Sequence, residues 1–409
     1  MAFTTVTGSN GVTSLVGTSG IDVATIVTLA SNVFVGGQEA DDVVTVALAT
    51  GGNVVTGYTV NGGAGDDAIT FNSVILDSTV NGDGGTGTAG QDNLRFNFGV
   101  INSAVNGGSG NDVIAALNGV SNSTINGNAG DDAITVVTAS ASFVYGGQGT
   151  DTINTFGNSS SLLINGNKGS DAITLGAAGF ASSSVYGGQG NDFINAGAVT
   201  DAAGGALSAT SAGAFLSGDL GDDLVFGTNG IDTIEGGDGA DTLAGGSGAD
   251  VINGGAGDDS ILGGAGADVL TGGGGNDIFR LTALTDATVN GSTGFDTITD
   301  FVANTAVPFN GDLIGSATTT TVLSYGSFAT DTNGASTLAG VLTNVMGLGG
   351  ITPLVANQAA LITLTASAVG AEYAGNYIVI NDNVAGYLNT TDAVIKVNTL
   401  ANITIASFI

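Results

Sequence analysis

Apolar residues recur along this chain at one fixed place, two positions after an aspartate. Between Gly218 and Phe279 they recur every nine residues, in GDLGDDLVF, GTNGIDTIE, GGDGADTLA, GGSGADVIN, GGAGDDSIL, GGAGADVLT and GGGGNDIFR. The apolar row is Val225, Ile234, Leu243, Ile252, Ile261, Leu270 and Phe279. The acidic row is Asp223, Asp232, Asp241, Asp250, Asp259, Asp268 and Asp277. A flexible Gly/Asp-rich linker would have no reason to hold that phase. Six Gly-rich residues can bend through positive φ, which a residue with a Cβ tolerates poorly, so they predict a tight turn, and the next three predict a short strand. Two such units close one coil of a parallel β-roll whose coils stack about 4.8 Å apart. The apolar row then points inward as a narrow core.

Residues 1–217 repeat the turn at a longer interval. GTSGID, GGQEAD, GGAGDD, GTAGQD, GGSGND, GNAGDD, GGQGTD, GNKGSD and GGQGND end at Asp22, Asp41, Asp67, Asp92, Asp112, Asp132, Asp151, Asp171 and Asp192. From Asp92 onward the step is 19 to 21 residues, one full coil per repeat. The expected inward row is Val43, Ile69, Leu94, Ile114, Ile134, Ile153, Ile173 and Ile194. Each coil needs a second corner, and between Asp112 and Asp132, Asp151 and Asp171, and Asp171 and Asp192 that corner is Ser/Asn-rich and without acids, as in NGVSNSTIN and GNSSSLLIN. The pattern predicts an all-β chain: a right-handed parallel β-solenoid with acidic turns on one edge over 1–217, a roll with acidic turns on both edges over 218–279, and a β-rich cap over 280–409. Several N-terminal turns are degraded, as where Glu39 replaces a glycine and where the match at Gly87 follows an insertion, so metal occupancy is expected chiefly beyond the first three or four turns. The stretch between Asp192 and Asp223 breaks phase and is expected to form an enlarged corner. In the cap, LITLTA, NYIVIND, AVIKVN and ITIASFI are expected strands and ASTLAGVLTNVM a short helix.

Composition narrows the chemistry. Of 409 residues 72 are Gly, and the 42% hydrophobic content is too apolar for simple disorder, which leaves repetitive β architecture. Four Lys and Arg against 36 Asp and Glu give a net charge of −32, which argues against nucleic acid and anionic membranes as partners and for divalent cations. With no Cys and no His there are no disulfides, no zinc sites and no cysteine or triad nucleophiles, so the chain is not expected to be an enzyme. A carboxylate-pair hydrolase would need two acids in a cleft rather than a ladder. No apolar stretch is long enough to span a bilayer, and MAFTTVTGSNGVTSLVG shows neither a basic nor an apolar signal region. Arg95, Lys168, Arg280 and Lys396 are scattered and are expected to serve as local partners of carboxylates.

Unneutralised carboxylates about 4.8 Å apart repel by roughly 0.9 kcal/mol per neighbouring pair even in bulk water. Summed along a ladder, this approaches the total stability of a typical domain, so a cation is expected to be required for folding. Carboxylates and turn carbonyls together make a cage of hard oxygens, which suits calcium. The candidate ligands are Asp67, Asp112, Asp132, Asp151, Asp171, Asp192, Asp223, Asp232, Asp241, Asp250, Asp259, Asp268 and Asp277, with Gly237, Gly239, Gly246, Gly248, Gly255, Gly257, Gly264 and Gly266 in the turns. Several Ca2+ ions per chain are expected.

The G-G-x-G-x-D-x-U-x nonapeptide resembles the calcium-binding repeats of RTX proteins. The segment GFDTITDF, with Gly294, Asp296, Ile298, Asp300 and Phe301, resembles the region that follows those repeats. The resemblance implies an extracellular, calcium-dependent protein exported unfolded by a type I secretion system, with the uncharged C-terminal tail as its signal or as a plain cap. The reading adopted is a surface-layer or matrix subunit that folds, and self-associates into sheets or filaments, on calcium. The alternative is a calcium-dependent adhesin or an ice-binding solenoid. Ice binding would want a regular outward threonine array, yet the row read as Thr25, Val44, Thr70, Arg95, Ala115, Thr135, Asn154, Thr174 and Asn195 is mixed.

Overall fold

Strand follows strand because each turn returns the chain beside the same segment of the previous coil. The computed structural model describes residues 4–7, 13–26, 32–47, 53–83, 90–176, 180–196, 213–280 and 296–300, and the strands Leu313–Gly315, Thr321–Phe328, Gln358–Leu364, Gly375–Ile380 and Ala393–Val397. No helix occurs among the described residues. The chain divides into two units, Met1–Phe215 and Leu216–Ile409.

The first unit is a parallel β-solenoid. A coil such as the one through Asp132 runs through the strands Thr124–Ala129, Ala133–Val136 and Ala139–Ser140. Like residues stack on like. Ile125 pairs with Val144, which pairs with Ile164 and then Val185. Ile134, Ile153, Ile173 and Ile194 form a second column. Strand alternation sends these side chains inward, where they are buried, and their neighbours outward. A further inward row includes Phe71 and Phe96, whose rings stack at 5.5 Å, and the short third strands add Ile75, Val100 and Val120.

The Ser/Asn-rich corner differs from a simple bend. Its Ser/Asn segment makes a short third strand, as in Val120–Ser121, and then turns through a left-handed residue such as Asn102 (φ 46°) or Asn122 (φ 49°). Asn tolerates that conformation better than most residues with a Cβ. The next serine builds a neutral ladder: Ser78 N–H donates to Ser103 Oγ at 3.1 Å, Ser103 N–H to Ser123 Oγ at 3.0 Å, and Ser123 N–H to Ser142 Oγ at 3.2 Å. Each of these hydroxyls in turn donates to a carbonyl two residues back, as Ser103 does to Ile101 at 2.6 Å. The hydroxyls of this ladder thus find partners inside the chain, so the ladder itself needs no ion.

Two expectations for the first unit are corrected. The second turn runs from Gly37 to Asp42, one residue later than read, because Val23 pairs with Val43 and Ala24 with Val44. Val44 is therefore the buried residue and Val43 is exposed, since a slip of one position exchanges the faces of a strand. The outward row accordingly holds Thr45 in place of Val44. In the fourth turn Gly82, not Gly87, takes the place equivalent to Gly62 and Gly107, and residues 84–89 of the insertion lie outside the described residues.

In the second unit the coil shortens to 18 residues and carries two strands. Thr233–Asp238, Val251–Ala256 and Val269–Gly274 stack in one sheet, and Leu224–Phe226, Thr242–Ser247, Ser260–Ala265 and Ile278–Arg280 in the other. The predicted apolar row from Val225 to Phe279 is buried throughout. Beyond the repeats, Leu270 pairs with Ile298 and Phe279 with Ile314, so both sheets gain a further strand. Ala393–Val397 then pairs with Asp296–Ile298, and Gly375–Ile380 and Gln358–Leu364 follow antiparallel, which makes the β-rich cap. Tyr377, Ile378, Ile395 and Val397 are buried there. The helix expected over 335–346, the strand expected over 403–409 and the corner between Asp192 and Asp223 at 197–212 lie outside the described residues.

Candidate metal centre

The acidic edge is a hydrogen-bonded ladder. The backbone N–H of each aspartate donates to Oδ1 of the aspartate one coil on: Asp112 to Asp132 at 2.7 Å, Asp132 to Asp151 at 2.8 Å, Asp151 to Asp171 at 2.7 Å and Asp171 to Asp192 at 2.7 Å. The same row extends back through Asp92, Asp67 and Asp42 to Asp22. In the second unit there are two such rows. Asp223, Asp241, Asp259 and Asp277 form one, and Asp232, Asp250, Asp268 and Asp296 the other. Every aspartate named above as a candidate ligand lies in a ladder and is buried.

From Asp67 to Asp171, and at Asp241, Asp250 and Asp259, one carboxylate oxygen is used in this way and the other is left over. The Oδ2 atoms of Asp67, Asp92, Asp112, Asp132, Asp151, Asp171, Asp241, Asp250 and Asp259 are buried with no hydrogen-bond partner. A buried charged oxygen with no donor is costly, and the usual relief is protonation or a cation. Burial is accordingly the largest influence on these groups. It pushes Asp112 up to about 8, Asp67, Asp92, Asp151, Asp250 and Asp259 to about 7, and Asp132 and Asp171 to about 6, while the N–H from the preceding coil pulls the other way.

The glycines of the turn explain themselves by contact. A Cβ on Gly127 would run into Asp132 Oδ2 and the Gly146 carbonyl, and one on Gly166 into Asp171 Oδ2 and the Gly187 carbonyl. In the second unit Gly236 stands in the same way against Asp241 Oδ2 and the Gly254 carbonyl. The first glycine of each turn is thus where a carboxylate oxygen and a carbonyl oxygen converge, a position that sequence reasoning left out. The glycines named from the sequence also have a conformational role. Gly237, Gly239, Gly246, Gly248, Gly255, Gly257, Gly264 and Gly266 all have positive φ. Their carbonyls point along the stack at the next glycine of the same row, Gly237 O at Gly255 and Gly239 O at Gly257, which leaves no room for a side chain.

These donors fit calcium. All are hard oxygens, a buried carboxylate oxygen lacks a partner at rungs such as Asp112, Asp151, Asp250 and Asp259, and the glycines leave oxygen-lined space beside it. No group of three or more His, Cys, Asp and Glu side chains converges among the described residues, so any ion would draw on at most two carboxylates and on carbonyls for the rest. The basic residues whose bonds are described do not serve the ladder: Arg95 donates to Asn97 Oδ1 at 2.9 Å and Arg280 to Ser260 Oγ at 2.6 Å.

Sequence reasoning missed two rungs. Asp42 was hidden by the neighbouring Asp41, since either acid satisfies the motif and only strand register chooses between them. Asp296 stands 28 residues after Asp268, where other rungs of this unit are 18 apart, so periodicity could not place it. Asp300, in the same segment, accepts the Gly272 and Gly273 N–H groups at 2.9 and 2.7 Å.

Stacked parallel coils with a glycine-gated aspartate row define the described repeats as a β-solenoid. Four segments, 137–155, 177–202, 217–252 and 245–279, match the family model of the RTX calcium-binding nonapeptide repeat, and the chain carries these repeats. No curated protein matches the chain.

Proposed function

We propose that the protein is a calcium-dependent extracellular structural protein, a surface-layer or matrix subunit that folds and assembles when its ladders meet calcium outside the cell. The observation that carries the reading is the row of buried, partnerless Oδ2 atoms repeated rung after rung beside convergent carbonyls. A calcium-free chain cannot ionise that row and stay packed, so in a cytosol poor in calcium it remains threadable and suited to type I export, and weak extracellular sites fill at millimolar calcium. Exposed apolar residues on the outer faces, Val113, Phe143 and Phe156 in the first unit and Val251 and Val269 in the second, supply material for edge contacts between copies. No catalytic role is proposed.

Negative-stain microscopy of the full chain with calcium and with chelator tests the assembly. Sheets or filaments that dissolve on chelation are the expected result. Monodisperse single particles at high protein concentration in millimolar calcium would refute the subunit reading, while leaving calcium-dependent folding to be judged by circular dichroism.

A further inference from the structure

Two turns break the pattern in the same way. GTSGID ends at Asp22 and GTNGID at Asp232, and in both a threonine replaces the second glycine of the motif. Each aspartate begins its ladder among the described residues: Asp22 N–H donates to Asp42 Oδ1 at 2.8 Å and Asp232 N–H to Asp250 Oδ1 at 2.8 Å.

In these turns the carboxylate is already served from within. Thr228 N–H donates to Asp232 Oδ2 at 2.6 Å, and the Thr228 hydroxyl lies 3.0 Å from both oxygens of the same carboxylate. Thr18 repeats the arrangement, with its N–H on Asp22 Oδ2 and its hydroxyl 2.9 Å from that oxygen. The Thr18 N–H, the largest influence on Asp22, holds its carboxyl below the ordinary range. Asp67, Asp112, Asp250 and Asp259, by contrast, have no such donor at Oδ2.

Backbone geometry explains why threonine has this effect. At the second position of the turn, Gly63, Gly108, Gly147, Gly237, Gly246 and Gly255 adopt positive φ, and so do the Asn and Asp that stand there, Asn128 (φ 80°), Asn167 (φ 76°) and Asp219 (φ 74°). A β-branched residue avoids that region, and neither Thr18 nor Thr228 is among the described residues with positive φ. The turn takes another course, and the N–H and hydroxyl swing onto the carboxylate.

We propose that the two Gly-Thr-x-Gly-Ile-Asp turns are calcium-free rungs, in which threonine supplies the donors that a cation replaces elsewhere. The first rung of each of these ladders then closes without metal and offers the following coils a formed template on which calcium sites build in one direction. This deepens the calcium reading and rests on it.

The test is calcium stoichiometry of the full chain by isothermal titration and equilibrium dialysis. Asp232→Asn should leave the number of bound ions as in the parent, whereas Asp250→Asn should lose one. Thr228→Gly, which restores the common turn, should gain one. A lower count for Asp232→Asn, or an unchanged count for a folded Thr228→Gly, overturns the proposal. If Thr228→Gly does not fold, the two Asp→Asn variants decide alone. A parent chain that binds no calcium fails the underlying reading instead, so the two failures are distinct.

Discussion

Asp151 N–H donates to Asp171 Oδ1 at 2.7 Å, while Asp171 Oδ2 lies buried with no partner beside the Gly187 carbonyl. One contact thus holds two coils in register and leaves a charge that the fold does not neutralise. Asp171→Asn keeps the accepting oxygen and puts an N–H2 where the orphan oxygen stood. It should raise the melting temperature of the calcium-free protein and reduce the number of bound calcium ions by one, read by calorimetry with and without calcium. A drop in calcium-free stability would show that the orphan oxygen is not a liability.

The pH dependence of the calcium-free protein follows from the same groups. Their carboxyls are raised from the ordinary 3.8 to between about 6 and about 8, so the folded state holds protons that the unfolded state has released. Between about pH 4 and pH 8 stability must then fall as pH rises. Calcium-depleted protein should melt higher at pH 5 than at pH 8, and calcium should reverse the order because binding displaces protons. A calcium-depleted protein more stable at pH 8 would contradict the ladder as the source of the metal requirement.

Neighbouring glycines should respond differently to the same methyl group. Gly273 has φ +100° and a Cβ there would strike the Gly255 carbonyl, whereas the nearest atom to a Cβ on Gly274 is 4.0 Å away. Gly273→Ala should cost on the order of 2 kcal/mol or more and Gly274→Ala less than about 0.5, measured by denaturation in calcium. Equal costs would mean the turn relaxes freely.

The register of the second coil can be checked at Val43 and Val44. Val44 is fully buried and Val43 is 38% exposed. Val44→Asp buries an unpaired charge and should cost several kcal/mol, while Val43→Asp should leave stability within about 0.5 kcal/mol. If Val43→Asp proves the more harmful, the turn ends at Asp41 after all.

By itself the sequence determined the class of fold, the size of the coil, which edge carries charge and nearly every rung, because a stack of identical coils turns sequence period directly into spatial neighbours. The Asp-x-apolar phase from Val225 to Phe279 became a buried column with no change. Tertiary structure alone decided three things. Register chose Asp42 over Asp41, since pairing with Val23 and Ala24 selects the face that is buried. Chain returning after an insertion brought Asp296 onto Asp268, a contact across 28 residues that no local period encodes. Backbone direction at the second turn position separated Thr18 and Thr228 from the glycines they replace, because a branched Cβ refuses the positive φ on which the open turn depends.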